Sequence, residues 1–159
     1  IISQNVLEGN NTGIRLVEGP AEISQNTIVV QGYTGIWADA TAQGSVFNNI
    51  IALGGVGIRM DSRANLERES NVVFGNFGPR RVPLVDLNYV CDERLPLTNG
   101  DLLRVLIYPA PNVQGKGDLQ VDPKFVKVGS DYRLAEGSPL LATKGKNGKI
   151  IGALSESAK

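Results

Sequence analysis

A short phrase recurs in this chain at a fixed interval of 22 residues. It reads TGIRLVE from Thr12, TGIWADA from Thr34 and VGIRMDS from Val56. A second landmark, ISQN at 2–5 and 23–26, returns in weaker form as VFNN and RESN, and its last asparagines stand at positions 5, 26, 49 and 71. A fixed period in the low twenties is typical of a solenoid, in which each repeat forms one coil stacked on the next.

The segments between these landmarks predict strands rather than helices. Val, Ile and Thr occur in short runs that are broken by Gly or Asn, which is typical of short strands. Nothing in the chain matches the leucine-rich consensus, so the repeat favours a parallel β-helix. Each coil would hold one strand at the Gly-Ile pair, one that runs into the Asn and one that follows it. Each strand would pair with its copies about 4.8 Å above and below.

Stacking in register predicts columns of equivalent side chains. The isoleucines that follow the repeated glycines would form an inward ladder, with apolar neighbours two residues further on: Ile14, Ile36 and Ile58, then Leu16, Ala38 and Met60. The repeated asparagines would form a second inward ladder at a turn, where a side-chain amide can satisfy backbone groups of its own coil and of the next. We expect the glycines of the Gly-Ile pairs (Gly13, Gly35 and Gly57) to serve the backbone geometry where the strand begins.

Composition narrows the classes of function. Sixteen basic and sixteen acidic residues give no net charge, so the whole-chain field does not favour a nucleic-acid or anionic-membrane partner. No run of 18 apolar residues predicts a membrane span. Histidine is absent, which removes the commonest general base and metal ligand, and the single cysteine, Cys91, cannot form an intrachain disulfide. Any chemistry is left to carboxylates, Arg, Lys, Tyr and hydroxyl groups.

The repeats, together with the C-terminal part of the chain, resemble the right-handed parallel β-helix proteins of the pectate-lyase-like superfamily. VDPKFV at 121–126, DYRL at 131–134, GSPLL at 137–141 and IGAL at 151–154 resemble the closing segment of many bacterial extracellular β-helix proteins. The resemblance implies an all-β, right-handed parallel β-helix that works outside the cell or at the cell surface. It does not select one function, because this architecture hosts lyases, hydrolases, epimerases, adhesins and inert spacers.

We predict one β-helix domain over 1–159, with about five coils. Regular coils would occupy 1–78, a coil with an insertion 79–117, and the closing segment 118–159. The insertion follows from the long gap between Asn71 and the next candidate for the asparagine ladder, Asn112. In this interpretation Val82–Asn88 is the first strand, Leu102–Tyr108 the second, and the polar segment between them bulges out; two irregular coils are the alternative.

The first residues raise a separate expectation about assembly. The chain begins without Met and enters a coil at once, so the edges of its first strands would be open. Open strand edges need further coils, a cap or a partner. We therefore interpret the chain as a piece of a longer protein, or as one that associates end to end through its first coil.

An outward column is the first candidate site. Strand alternation sends the residue after each inward isoleucine outward, which aligns Arg15, Trp37 and Arg59. An exposed tryptophan is unusual on a plain solvated face, and aromatic and guanidinium planes suit sugar rings and carboxylates. Two interpretations remain open: a substrate-binding surface for polysaccharide, or a cation–π stack that only stiffens the sheet.

Asp39 and Asp61 are the candidate catalytic residues. On adjacent coils their carboxylates would lie about 5 Å apart, the spacing found in retaining glycosidases, although stacking imposes this spacing on any aligned pair. The resemblance also implies a lyase version, in which the two aspartates hold Ca²⁺ on a uronate, Arg59 acts as the base and Arg15 binds the substrate carboxylate. Otherwise no cofactor or metal is expected. A structural version has the arginines merely neutralise the aspartates.

The sequence thus predicts a carbohydrate-facing β-helix module that binds a polysaccharide, with cleavage by a hydrolase or lyase reaction as an extension of that role. The alternative is a non-catalytic structural or adhesive solenoid of a cell-surface or secreted protein.

Overall fold

Equivalent strands pair in parallel from coil to coil, three strands to a coil. The computed structural model describes residues 1–76, 88–96, 103–109 and 114–153, with the backbone alone for 92–96 and 103–109. These residues form an all-β solenoid of about three turns. The predicted parallel β-helix is therefore confirmed, while the number of coils is smaller than the five expected.

Thirteen strands and two short 3₁₀ helices make up the regular structure of the described residues. The strands are β1 (Ile2–Ser3), β2 (Val6–Glu8), β3 (Thr12–Ser24), β4 (Thr27–Val29), β5 (Thr34–Phe47), β6 (Ile50–Ala52), β7 (Val56–Asp61), β8 (Asn65–Glu69), β9 (Val72–Phe74), β10 (Tyr89–Pro96), β11 (Leu103–Pro109), β12 (Phe125–Lys127) and β13 (Asp131–Leu134). The 3₁₀ helices span Pro139–Leu141 and Lys146–Gly148.

The two long strands, β3 and β5, each take part in two faces of the solenoid. Their first parts, 12–16 and 34–38, pair with each other and continue through β7 to β10; we call this the front face. Their second parts, 18–24 and 41–47, pair with each other and continue to β8; this is the side face. The short strands β2, β4, β6 and β9 form the third face, the back sheet.

A register shift separates the front and side faces. Two residues of β5, Asp39 and Ala40, lie opposite the single residue Val17 of β3. This extra residue is one of the two by which the 23-residue step between the second and third repeated asparagines exceeds the 21-residue step before it. The other lies between β4 and β5, where the offset of paired residues changes from Glu8↔Val29 to Thr12↔Thr34. The irregular period in the sequence thus has two local causes, a bulge within β5 and one extra residue between β4 and β5.

The inward isoleucine ladder is confirmed. Ile14 pairs in register with Ile36, which pairs with Ile58, and all three side chains are buried. The apolar column beside them is buried as well and continues into the insertion: Leu16, Ala38, Met60 and Cys91. A further column, on the side face, changes from apolar to charged. Ile23 pairs with Val46, and Arg68 occupies the equivalent position on the next coil. Burial lowers the pKa of the Arg68 guanidinium, and its Nη1 donates to the Leu66 carbonyl at 2.9 Å.

The asparagine ladder is confirmed, and it ends on an aspartate. In each step the backbone N–H and the side-chain Nδ2 of one asparagine donate to Oδ1 of the next, from Asn5 through Asn26 and Asn49 to Asn71. Asn71 donates in the same way to Asp118 Oδ1, at 2.7 and 3.1 Å. Asp118 therefore caps the ladder, at the place where Asn112 was the expected continuation. Asn112 itself lies outside the described residues.

The explanation expected for the repeated glycines is wrong. None of Gly13, Gly35 and Gly57 has a positive φ. Their reason is space: a Cβ on Gly13 would lie 2.6 Å from Ile28 Cγ2 and 2.7 Å from the Gly35 carbonyl oxygen, and one on Gly35 would collide with Ile51 Cγ2. Glycine is needed here because the front face passes directly against core side chains of the back sheet.

The insertion forms an antiparallel hairpin, which corrects part of the predicted coil. β10 pairs in parallel with β7, and β11 then folds back along β10 with antiparallel pairing from Val90↔Pro109 to Pro96↔Leu103. The segment predicted as a second coil strand is therefore a hairpin arm, because the nearest unpaired edge is that of β10. Asn88 apart, the predicted strand Val82–Asn88 lies outside the described residues.

The closing segment covers the back sheet instead of adding coils, which explains the lower coil number. The chain rejoins the stack through bridges at Lys116 and Leu119 and then runs back along β9, β6 and β4. An outer apolar cluster forms between the two: Val29, Ile50, Ala52 and Val72 pack with Tyr132, Leu134, Leu140 and Ile151. At the first coil, Tyr132 Oη donates to Glu8 Oε1 at 2.6 Å. Strands β4 and β6 of the back sheet are thus buried on both sides.

Candidate functional site

The predicted front-face column exists and is a continuous stack. Arg15, Trp37 and Arg59 pair in register on three successive coils. The Arg15 guanidinium carbon lies 4.2 Å from the indole centroid, and that of Arg59 lies 4.3 Å from it. Because the two arginines come from coils on opposite sides of Trp37, they cover opposite faces of the ring. The flat faces of the tryptophan are therefore occupied by the protein itself.

The far end of the stack contains an aromatic residue that the sequence analysis did not single out. Arg59 is only 6% exposed, and its Nη1 donates to Tyr33 Oη at 2.6 Å. The Tyr33 ring also meets Trp37 edge to face, with centroids 6.3 Å apart. The sequence signal was present, since Tyr33 immediately precedes the repeated Thr-Gly-Ile phrase. A buried guanidinium needs hydrogen-bond acceptors, and Tyr33 supplies one.

The two candidate catalytic carboxylates are each held by a different arginine. Asp39 Oδ2 accepts from Arg15 Nη2 at 2.9 Å and from Arg15 Nε at 3.1 Å. Asp61 is 3% exposed and accepts from Arg63, through the backbone N–H and Nε at 3.0 Å and through Nη2 at 3.3 Å. These bonds raise the pKa of the Arg63 guanidinium above its ordinary value. Arg63 was missed in the sequence, although it stands only two residues after Asp61.

This arrangement bears on both chemical interpretations of the column. The last paired residues before the two aspartates, Ala38 and Met60, place them at equivalent positions on adjacent coils. A substrate carboxylate that bound Arg15 would have to displace Asp39 from it. Within the part of the chain that the structure describes, no group of three or more His, Cys, Asp or Glu side chains could hold a metal ion. The catalytic and calcium-binding roles of Asp39 and Asp61 stay predictions.

A second surface feature lies on the side face, where the sequence analysis placed no site. It is a shallow groove of about 410 Å³ lined by Pro20, Gln43, Gly44, Ser45, Asn65 and Glu67. Pairing aligns Pro20, Gln43 and Asn65 in one column, and Ser45 and Glu67 in the next. The groove thus crosses three coils. Its only sequence signal is a strand whose outward positions are all polar.

Comparison of the chain with protein-family models, with curated proteins and with solved structures gives no match. The β-solenoid is shown, whereas the resemblance to pectate-lyase-like proteins stays a prediction from the sequence motifs. No helix within the described ranges has the length and apolar character needed to cross a membrane.

Proposed function

We propose that this chain is a non-catalytic structural or adhesive solenoid of a cell-surface or secreted protein, and that the Arg15–Trp37–Arg59 stack stiffens its front face. The observation that supports this choice is that both faces of the Trp37 ring are covered by guanidinium groups. Those groups are themselves engaged, Arg15 by Asp39 and Arg59 by Tyr33. A surface whose aromatic and charged groups satisfy one another has little left to offer a ligand.

The energetics agree with a structural role. A cation–π contact contributes about 0.5–1 kcal/mol at an exposed site and about 2 kcal/mol when it is desolvated. Arg15 belongs to the first kind, with half of its side chain exposed, and buried Arg59 to the second. The stack therefore stabilises the pairing of three coils by about 2–3 kcal/mol. End-to-end association through the first coil belongs to the same proposal, because β1 and β2 are terminal strands of their sheets.

Polysaccharide binding by the front face is the second candidate, with cleavage as an extension of it. Half of the Arg15 side chain is exposed, and the edge of Trp37 is partly accessible. If Arg15 exchanged Asp39 for a uronate carboxylate, the pair could act in recognition. Hydrolysis would assign Asp39 and Asp61 as the acid and base or nucleophile. A lyase reaction would need Ca²⁺ on the same two carboxylates.

A double-mutant cycle on the stack tests the structural proposal. Arg15→Ala, Trp37→Ala and the double variant are unfolded in urea, with Val17→Ala as a control for an exposed side chain on the same strand. The stack predicts that Arg15 and Trp37 are coupled by 0.5 kcal/mol or more, the range expected for residues in direct contact. Independent effects, together with binding of the wild type but not of Trp37→Ala on a glycan array, would support the second candidate instead.

Cleavage has a separate assay. Reducing-sugar release reports hydrolysis, and ultraviolet absorbance of unsaturated products reports elimination. Both are measured for the wild type, Asp39→Asn and Asp61→Asn on neutral and acidic polysaccharides. The structural proposal expects no turnover by the wild type. Turnover that disappears in either aspartate variant would replace it with the catalytic interpretation.

A further inference from the structure

We propose that the side-face groove binds a neutral, hydroxyl-rich ligand, in the form of a linear glycan chain that runs across the coils. This site is distinct from the front-face column and does not depend on the role of the Arg15–Trp37–Arg59 stack. It goes beyond the proposed function, because it gives the solenoid a ligand on a surface to which the sequence analysis assigned nothing.

The polar groups of the groove are available, which distinguishes them from those of the front face. Within the described part of the chain, the side chains of Gln43, Ser45, Asn65 and Glu67 form no hydrogen bond or ion pair with another residue. On the front face, by contrast, Arg15 is already bound to Asp39. Amide, hydroxyl and carboxylate groups together supply both donors and acceptors, which is what sugar hydroxyl groups require.

A glycine lies in the lining of the groove. Gly44 lies between Gln43 and Ser45 with φ at 122°, and a Cβ there would collide with the Ala21 carbonyl oxygen. Glycine is therefore favoured where these two coils approach each other, beside the lining residues. Pro20 forms one wall with an apolar ring, which suits the C–H face of a pyranose.

Because the strands pair in register, similar side chains of the groove recur from one coil to the next. Gln43 and Asn65, both amides, occupy equivalent positions on neighbouring coils. Neighbouring strands lie about 4.8 Å apart, so chemically equivalent groups recur at that interval. A linear polymer of small rings can present one hydroxyl group to each coil in turn. A compact single sugar would use only one step of this repeat.

Charge selects a neutral ligand over an acidic one. Glu67 lines the groove. It pairs with Ser45 on the neighbouring coil, and Ser45 pairs with Glu22 on the coil beyond, so the two glutamates lie in one column. Ionised carboxylates repel uronates and sulfated sugars but accept hydrogen bonds from neutral hydroxyl groups. The front face, which exposes half of the Arg15 side chain, would have the opposite preference.

The test follows side-chain amide signals by NMR in ¹⁵N-labelled protein. Four linear hexasaccharides are titrated to millimolar concentration: β-1,4-linked glucose, xylose and mannose as neutral probes, and oligogalacturonate as the acidic probe. We expect at least one neutral probe to shift the side-chain NH₂ signals of Gln43 and Asn65. The proposal is overturned if none does, or if oligogalacturonate shifts them at lower concentration. Shifts confined to the Trp37 indole N–H would also overturn it and would support front-face binding instead.

A matched pair of charge-neutralising variants completes the experiment. Glu67→Gln should weaken binding of the responding probe about tenfold, the effect of losing a hydrogen bond to a charged acceptor. Glu136→Gln changes an exposed glutamate of the closing segment and should leave the affinity unchanged. Equal affinities of the two variants would remove Glu67 from the site and overturn the proposal. Urea unfolding of both variants checks that neither change acts through stability.

Discussion

Removal of one amide from the middle of the asparagine ladder should cost this chain a large part of its stability. Asn49 is fully buried, and its side chain takes part in five hydrogen bonds. Oδ1 accepts from the backbone N–H and Nδ2 of Asn26, while Nδ2 donates to the Ile23 and Phe47 carbonyls and to Asn71 Oδ1. In Asn49→Ala the backbone N–H of Asn26 loses its acceptor in the core.

The structure sets the size of the expected loss. A typical hydrogen bond contributes about 0.5–1.5 kcal/mol net, and an orphaned buried donor costs about 1–3 kcal/mol. Several of the five bonds share atoms, so their contributions are not independent. We therefore expect Asn49→Ala to lower the free energy of unfolding by about 3–5 kcal/mol, against a total of about 5–15 kcal/mol for an ordinary domain.

Asn5→Ala is the matched control. Asn5 occupies the same ladder at its exposed end, and its side chain donates to Asn26 and to the Ser3 carbonyl without accepting from another described residue. Its removal should cost about 1 kcal/mol or less. Both variants are unfolded in urea and followed by circular dichroism. A difference of less than about 1 kcal/mol between them would show that the buried amides do not carry the stability that we assign to them.

Two further predictions concern packing and pH. Gly35→Ala should lower the free energy of unfolding by about 1–3 kcal/mol, because its Cβ would collide with Ile51 Cγ2, whereas Gly32→Ala, with no atom closer than 3.7 Å, should be neutral or slightly stabilising in the same urea assay. Burial, reinforced by the hydrogen bond to Glu8, raises the pKa of Tyr132 from 10.0 to about 12. The neutral phenol is therefore favoured by folding: its contribution is complete below pH 10 and is lost as the pH rises towards 12. Stability should fall more steeply over this interval in the wild type than in Tyr132→Phe, and parallel profiles would contradict the assignment.

The confirmed sequence predictions all depend on a side chain's place within one coil. Ile14, Ile36 and Ile58 could be assigned to the core because alternation within a strand and a constant period are both local properties. Arg15, Trp37 and Arg59 could be aligned for the same reason. The predictions that failed needed knowledge of another part of the coil. The repeated glycines, for example, are required by Ile51 and its equivalents on the back sheet.

The insertion is a second case in which the sequence predicted an element but not its tertiary partner. Leu103–Pro109 has the composition of a strand, and the sequence correctly predicts one there. Composition does not state which neighbour a strand pairs with, and its antiparallel pairing to β10 followed from the edge that was left open. The closing segment was recognised, but its position over the back sheet was not. Runs such as IIA in β6, apolar at consecutive positions, were the available signal for a strand buried on both sides.

By itself, the sequence determined the architecture of this protein: a 22-residue period makes equivalent residues meet from coil to coil, whatever lies outside the repeat. Only the tertiary structure decided which surface groups are free. The sequence aligned Asp39 and Asp61, but only the structure showed that each is bound by an arginine. Gln43, Asn65 and Glu67 gained interest only when they were found aligned and unengaged. The physical reason is that hydrogen bonds and ion pairs between distant residues depend on distances of about 3 Å, which a repeat period does not encode.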